Sequence, residues 1–132
     1  MSTELYILGW TLALALVQIL LHAALRTGET GLAYNLGPRD DAGPPVGKLT
    51  GRLQRARDNL FETLPIFAVA LLIAHVAGRE SGLTLWGAGI YLAARVIYVP
   101  LYAFGIPVLR TLAWAVALVG LLIILGALLG PL

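Results

Sequence analysis

The residues able to do chemistry in this 132-residue chain are few and clustered. There is no cysteine, so a thiolate metal site and a cysteine nucleophile are both excluded, and any thiol chemistry must use a thiol brought by a ligand. His22 and His75 fall near opposite ends of two separate apolar segments, so no metal site is expected between them. Two runs remain. One is Arg52-Leu-Gln-Arg55-Ala-Arg-Asp-Asn59-Leu-Phe-Glu62; the other carries Tyr91, Arg95, Tyr98 and Tyr102 and is followed by Arg110. At about 100° per residue, Arg52, Arg55, Asn59 and Glu62 share a helical stripe about 80° wide, and the tyrosines with Arg95 fall within about 60° of one another. Guanidinium groups grip carboxylates through paired donors, an asparagine meets an amide, and a glutamate takes an ammonium. Such a set suits a small anion with carboxylates and peptide groups.

The elements that must position these residues follow from composition. Hydrophobic residues make up 59% and charged residues 12%, against about 45–50% and roughly 25% in soluble domains. Mean hydropathy is +0.87. A soluble globular domain and a disordered chain are both excluded. Most charges lie between Arg26 and Glu62; outside that stretch stand only Glu4, Arg79, Glu80, Arg95 and Arg110. The gaps between charges predict four membrane helices at about 5–25, 51–77, 83–104 and 110–129, one domain over residues 1–132. The first is read as a membrane helix, not a signal peptide, because no basic residue precedes it and no clean cleavage site follows. Gly, Pro, Asn and Asp crowd residues 27–50, which read as a loop. Pro65 and Pro100 stand inside the second and third helices. The fold class is thus an all-α, integral-membrane four-helix bundle running up-down-up-down, with both termini on one side.

Basic residues orient it. Arg26, Arg39, Lys48, Arg52, Arg55, Arg57 and Arg110 gather at one end, and Arg79 is alone at the other. The basic end is expected to be cytoplasmic and the termini outside. Depth arithmetic puts Glu62 roughly 18 Å and Arg95 roughly 15 Å from that end, so an ion pair between them is expected. An unpaired charge at such depth costs about 2.5–3.5 kcal/mol or more. Fixing helix register is the other reading of that pair, but the whole set exceeds what register requires.

These motifs resemble the MAPEG family, the membrane-associated proteins in eicosanoid and glutathione metabolism. The likeness rests on Arg52-x-x-Arg55-x-x-x-Asn59-x-x-Glu62-x-x-Pro65, on Arg95-x-x-Tyr98-x-x-x-Tyr102 with Arg110, and on the Gly37-Pro38-Arg39-Asp40 loop, which looks like the bacterial branch. The resemblance implies a homotrimer with glutathione between neighbouring subunits near the cytoplasmic face. It implies that Arg55, Asn59 and Glu62, with Arg52 on the same stripe, hold glutathione. Arg95, Tyr98 and Tyr102 would line the site, and Arg26 matches another glutathione-contacting arginine. Arg110 would stabilise the thiolate that attacks a hydrophobic electrophile or a lipid hydroperoxide arriving through the lipid. The activity implied is a membrane-bound glutathione transferase or peroxidase in a bacterial inner membrane; the alternative is a non-catalytic lipid- or thiol-binding member. A small four-helix exporter is disfavoured, since such proteins depend on an acidic residue in their first helix and Leu5–Leu25 has none.

The remaining features read as structural. Trp10, Trp86 and Trp114 are expected as interface anchors or packing residues. Gly87, Gly89, Gly120, Gly126 and Gly130 are expected to permit close helix packing. The Arg52–Arg57 cluster could meet anionic headgroups of membrane lipids. No loop suited to cradling phosphate occurs, and nucleic acid is not an expected partner.

Overall fold

The apolar segments fold as helices because inside a bilayer every backbone polar group must be satisfied within its own segment. The computed structural model describes residues 1–131 and is all-helical; Leu132, the last residue of the domain read from the sequence, lies outside the described residues. The helices are α1 (Thr3–Thr30), α2 (Leu32–Leu36), α3 (Lys48–Val76), α4 (Gly82–Ala103) and α5 (Pro107–Leu129). All but α2 are long and apolar enough to cross a membrane. The chain is a four-helix membrane bundle.

The helix ends have local causes. Ser2 caps α1, its hydroxyl accepting from the Leu5 N–H at 3.3 Å. Ser81 and Thr84 form a reciprocal capping box at the start of α4. Pro107 opens α5, where its missing N–H costs no hydrogen bond. The stretch read as loop contains α2. Asn35 on α2 donates to the Thr27 hydroxyl at 2.6 Å and accepts from the Thr30 hydroxyl at 2.8 Å, folding this turn back on α1.

Two clusters of polar contacts define the ends of the bundle. At one end the Ser2 hydroxyl donates to Glu80 at 2.6 Å, the Thr84 hydroxyl to Glu4 at 3.0 Å, and Arg79 to the Gly130 carbonyl at 2.7 Å. Both chain termini therefore meet the α3–α4 turn, and the helices alternate in direction. At the other end Glu29 accepts from the Gly47 N–H and, at 2.6 Å, from the Thr50 hydroxyl, clasping the end of α1 to the start of α3.

The core follows helical periodicity. Leu60, Leu64, Phe67, Leu71 and Ala74 on α3 face Ala88, Tyr91 and Ala94 on α4 and Ala117, Leu121, Ile124 and Leu128 on α5. Phe67 stacks on Tyr91 at 4.0 Å, and the Tyr91 hydroxyl meets Thr63 at 2.7 Å. The tightest approach joins α4 to α5: a Cβ added at Gly87 would stand 2.7 Å from the Gly120 carbonyl, and one at Gly120 would stand 2.7 Å from the Gly87 carbonyl. Among the described residues a Cβ added at Gly89 or Gly126 would meet nothing within 4 Å, so neither mediates such a contact. Of the glycines expected to permit close helix packing, then, Gly87 and Gly120 do so. Trp10 and Trp86 are 68% and 70% exposed, as suits side chains facing lipid or interface.

Candidate functional site

The polar stripes of α3 and α4 meet at the basic end of the bundle. Here Arg55, Asn59, Tyr98, Tyr102, Arg110, Thr111 and Trp114 line a cavity of about 370 Å³. Each comes from a regular helix. Arg55 and Asn59 are one turn apart on α3, Tyr98 and Tyr102 one turn apart on α4, and Arg110 and Trp114 one turn apart on α5. Helix α4 runs through Pro100 without a break, so the two tyrosine rings stay together, edge to face at 5.6 Å.

Tyr102 organises the cations. Arg55 Nε donates to its hydroxyl at 3.1 Å, and the Arg110 guanidinium lies over its ring at 4.5 Å from the centroid. Contacts of this kind contribute about 0.5–1 kcal/mol when exposed and about 2 when desolvated. They hold two long side chains that would otherwise wander. Arg110 is the fourth residue of α5, close enough to the helix start for the positive end of the helix dipole to reinforce its charge. Among the described residues two guanidinium groups and no carboxylate line the cavity, a positive lining whose charge suits an anion.

Beneath the cavity wall lies Arg95, only 1% exposed. Its Nη1 donates to Asn59 Oδ1 at 2.8 Å, and its guanidinium lies 4.4 Å from the centre of the Tyr98 ring. Among the described residues its Nε and Nη2 have no hydrogen-bond partner, and both are buried. The expected Glu62–Arg95 ion pair does not form: among the described residues the ion pairs are Arg26–Glu29, Arg57–Asp58 and His75–Glu80. The reason is azimuth. Asn59 lies nearer the α4-facing side of α3 and takes the guanidinium, while Glu62, one turn on, is exposed on the surface of the chain.

Two further arginines of the predicted set sit elsewhere. Arg26 pairs with Glu29 at 2.8 Å and donates to the carbonyls of Ala42 and Pro44, so the loop takes it up. Arg52 donates to the Ala103 carbonyl at 3.3 Å and lies against Gly105, tying the start of α3 to the α4–α5 turn. Conversely, sequence reasoning missed Thr111 and Trp114 as cavity residues. Trp114 stands four residues after Arg110 on the same helix face, and that spacing was the available signal.

The donors fit a small polyanion with peptide groups: Arg55 and Arg110 for charge, Asn59 for an amide, and behind them a buried guanidinium with two donor nitrogens unanswered among the described residues. Among the described residues no cluster of His, Asp and Glu could hold a metal ion. In comparison with known proteins, the model of the MAPEG family matches residues 7–130, nearly the whole chain. No curated protein matches.

Proposed function

The chain belongs to the MAPEG family, and from that premise we propose that it is a membrane-bound, glutathione-dependent transferase or peroxidase acting on hydrophobic electrophiles or lipid hydroperoxides. The observation that carries this reading is the cavity in which Arg55, Asn59 and Arg110 meet two tyrosines, with no acidic residue among its walls. Glutathione supplies the thiol that the chain lacks. Arg55 would grip a carboxylate, and Asn59, already accepting from Arg95, keeps its amide N–H donors for a peptide carbonyl. Arg110 would face the sulfur. A free thiol titrates near about 8.5, and an adjacent cation favours its ionised, nucleophilic form. Because Tyr102 pins Arg110 against its ring, the cation is placed before the ligand arrives.

The cavity is open on the surface of one chain, and Glu62 is exposed beside it. A neighbouring copy in a homotrimer would close the site and bring Glu62 toward a ligand shared between subunits. The excess of Arg and Lys at the cavity end supports a cytoplasmic site and external termini, in a bacterial inner membrane.

The test is conjugation of an electrophile by purified protein with glutathione, beside a glutathione-induced thermal shift. Arg110→Ala should lower kcat/KM by about 100-fold, the scale of losing one positioned electrostatic donor, with the thermal shift nearly unchanged. Arg110→Lys should recover part of the rate. Parent and Arg110→Ala turning over equally would remove Arg110 from the chemistry, and no thermal shift in the parent would remove glutathione.

A further inference from the structure

At the terminal end of the bundle, opposite the site described above, a second cavity of about 490 Å³ opens between the α3–α4 turn and the last turns of α5. One wall is polar and consists of Arg79, Glu80 and Ser81. The other is apolar, with Leu83 from α4 and Gly126 and Ala127 from α5, both membrane-crossing helices. The cavity therefore straddles the boundary between headgroups and hydrocarbon. Arg79 and Glu80 are neighbours in sequence, yet they do not pair with each other. Among the described residues the Arg79 side chain makes one hydrogen bond, from Nη2 to the Gly130 carbonyl at 2.7 Å, and no ion pair. That bond fixes the guanidinium and uses one of its N–H donors. Glu80 accepts from the Ser2 hydroxyl at 2.6 Å through one oxygen, and His75 Nδ1 lies 3.1 Å from the other. A carboxylate offers about four acceptor positions, so Glu80 has room for a further donor. Gly126 keeps the cavity open, because its missing side chain serves no helix contact.

We propose that this cavity seats the headgroup of a phospholipid bearing a primary ammonium, with its phosphate on Arg79 and its ammonium on Glu80. The site lies at the other end of the bundle from the proposed glutathione cavity and does not depend on that reading. A guanidinium matches a phosphate through paired donors. Arg79 is the one arginine or lysine at this end, and a phosphate supplies the counter-charge it lacks among the described residues. A primary ammonium donates to a carboxylate, whereas a trimethylated ammonium has no N–H to give and a glycerol headgroup has no positive charge. Glu80 thus sets the choice among headgroups. Because both charged residues come from one turn, a single zwitterion satisfies them together. The apolar wall favours a lipid over a free phosphate: Leu83, Gly126 and Ala127 offer nothing to a soluble anion but flank the first carbons of an acyl chain. A headgroup held here would bridge the α3–α4 turn and the end of α5, beside the Arg79–Gly130 hydrogen bond.

Native mass spectrometry of the delipidated full chain, released from dodecyl maltoside micelles with added dioctanoyl lipids, reads the binding directly. The parent should bind dioctanoylphosphatidylethanolamine about tenfold more tightly than dioctanoylphosphatidylcholine or dioctanoylphosphatidylglycerol, the scale of one charge-assisted hydrogen bond. Equal affinities for the three overturn the proposal, because lipids that merely surround the bundle bind that way. Arg79→Gln should weaken the ethanolamine lipid about tenfold. Glu80→Gln should bring the ethanolamine lipid down to the level of the choline lipid and leave the choline lipid within about twofold. Lipids are compared within each variant, so a folding defect that acts on all of them alike does not imitate this result. Gly126→Leu places a side chain in open space, should remain folded, and should abolish the preference by filling the cavity. Full affinity in Arg79→Gln, or full preference in Gly126→Leu, overturns the proposal. Phosphoethanolamine and inorganic phosphate separate the two sources of the anion. Each should displace the lipid only at concentrations more than about tenfold above it, since neither has an acyl chain to bury; displacement at equal concentration would make this a site for free phosphate and overturn the lipid assignment.

Discussion

At the scale of residues, the site depends on one buried cation being answered by an amide and not by a carboxylate. Arg95 is 1% exposed, with Asn59 as its hydrogen-bonded acceptor and the Tyr98 ring against its face. Removing the acceptor leaves a buried charge short of partners, and that asymmetry costs more than deleting the pair. Asn59→Leu should therefore destabilise the protein by about 1–3 kcal/mol, while Asn59→Leu/Arg95→Leu should cost less than the sum of its single variants. Thermal unfolding of the four proteins measures this; strict additivity would show that the contact carries no coupling. Much of the site was legible at this scale. Arg55, Asn59, Tyr98, Tyr102 and Arg110 carry a spacing that only helices at one depth can bring together, and all five line the cavity. What was not legible was competition. Arg26 has the right charge and position but meets Glu29 and two loop carbonyls first, contacts set by the fold of a loop without periodicity. Glu62 and Arg95 agree in depth, but rise per residue does not resolve which of two neighbouring positions on α3 faces α4.

Among the elements, α4 and α5 form the closest pair, and two glycines permit it. An added methyl group at Gly87 would stand 2.7 Å from the backbone oxygen of Gly120, and a backbone cannot swing aside as a side chain can. Gly87→Ala should lower stability by about 1–3 kcal/mol, the usual cost of overpacking, whereas Gly89→Ala, with open space around it, should be nearly neutral. Thermal midpoints of the two variants, one helical face apart, provide the comparison. Because Tyr98 and Tyr102 lie on α4 and Arg110 on α5, separating these helices should also weaken the proposed glutathione binding in Gly87→Ala. The existence of four membrane helices could be read from the gaps between charges, since burying a charge in hydrocarbon is expensive enough to keep it scarce. Helix ends were less legible because they are set by caps. The α1 cap depends on the one side chain of Ser2, and the α4 box on the two of Ser81 and Thr84. Helix α2 is fastened by Asn35 to Thr27 and Thr30 and has no apolar stripe long enough to announce itself.

Across the whole molecule, the two ends of the bundle are built differently. The cavity end holds excess positive charge. The terminal end is held by Ser2, Glu4, Arg79, Glu80 and Thr84. Glu80 lies in the turn there, and the Ser2 hydroxyl, followed by His75, holds its carboxyl below the ordinary value of 4.5. A carboxyl whose value is lowered on folding stabilises the folded chain above the unfolded value, and that contribution disappears as pH falls through the lowered folded value. Glu80→Gln should therefore have a slightly lower thermal midpoint than the parent at pH 6, with the difference shrinking steadily below about pH 4.5. Midpoints measured from pH 6 to pH 3 check the trend, and a gap that widened toward acid would contradict it.

The Gly87–Gly120 contact also bears on the order in which the protein is made. Helices α4 and α5 are joined by a short turn and follow α1 and α3 in the chain, so the hairpin can close on itself as soon as both helices enter the membrane. It already carries Tyr98, Tyr102, Arg110, Thr111 and Trp114. Helix α3, already inserted, carries Arg55 and Asn59. The cavity is complete within one chain only when this hairpin lies against α3. A nascent chain stalled before α5 carries Arg55, Asn59, Tyr98 and Tyr102 but lacks Arg110, Thr111 and Trp114, so its cavity has one wall missing.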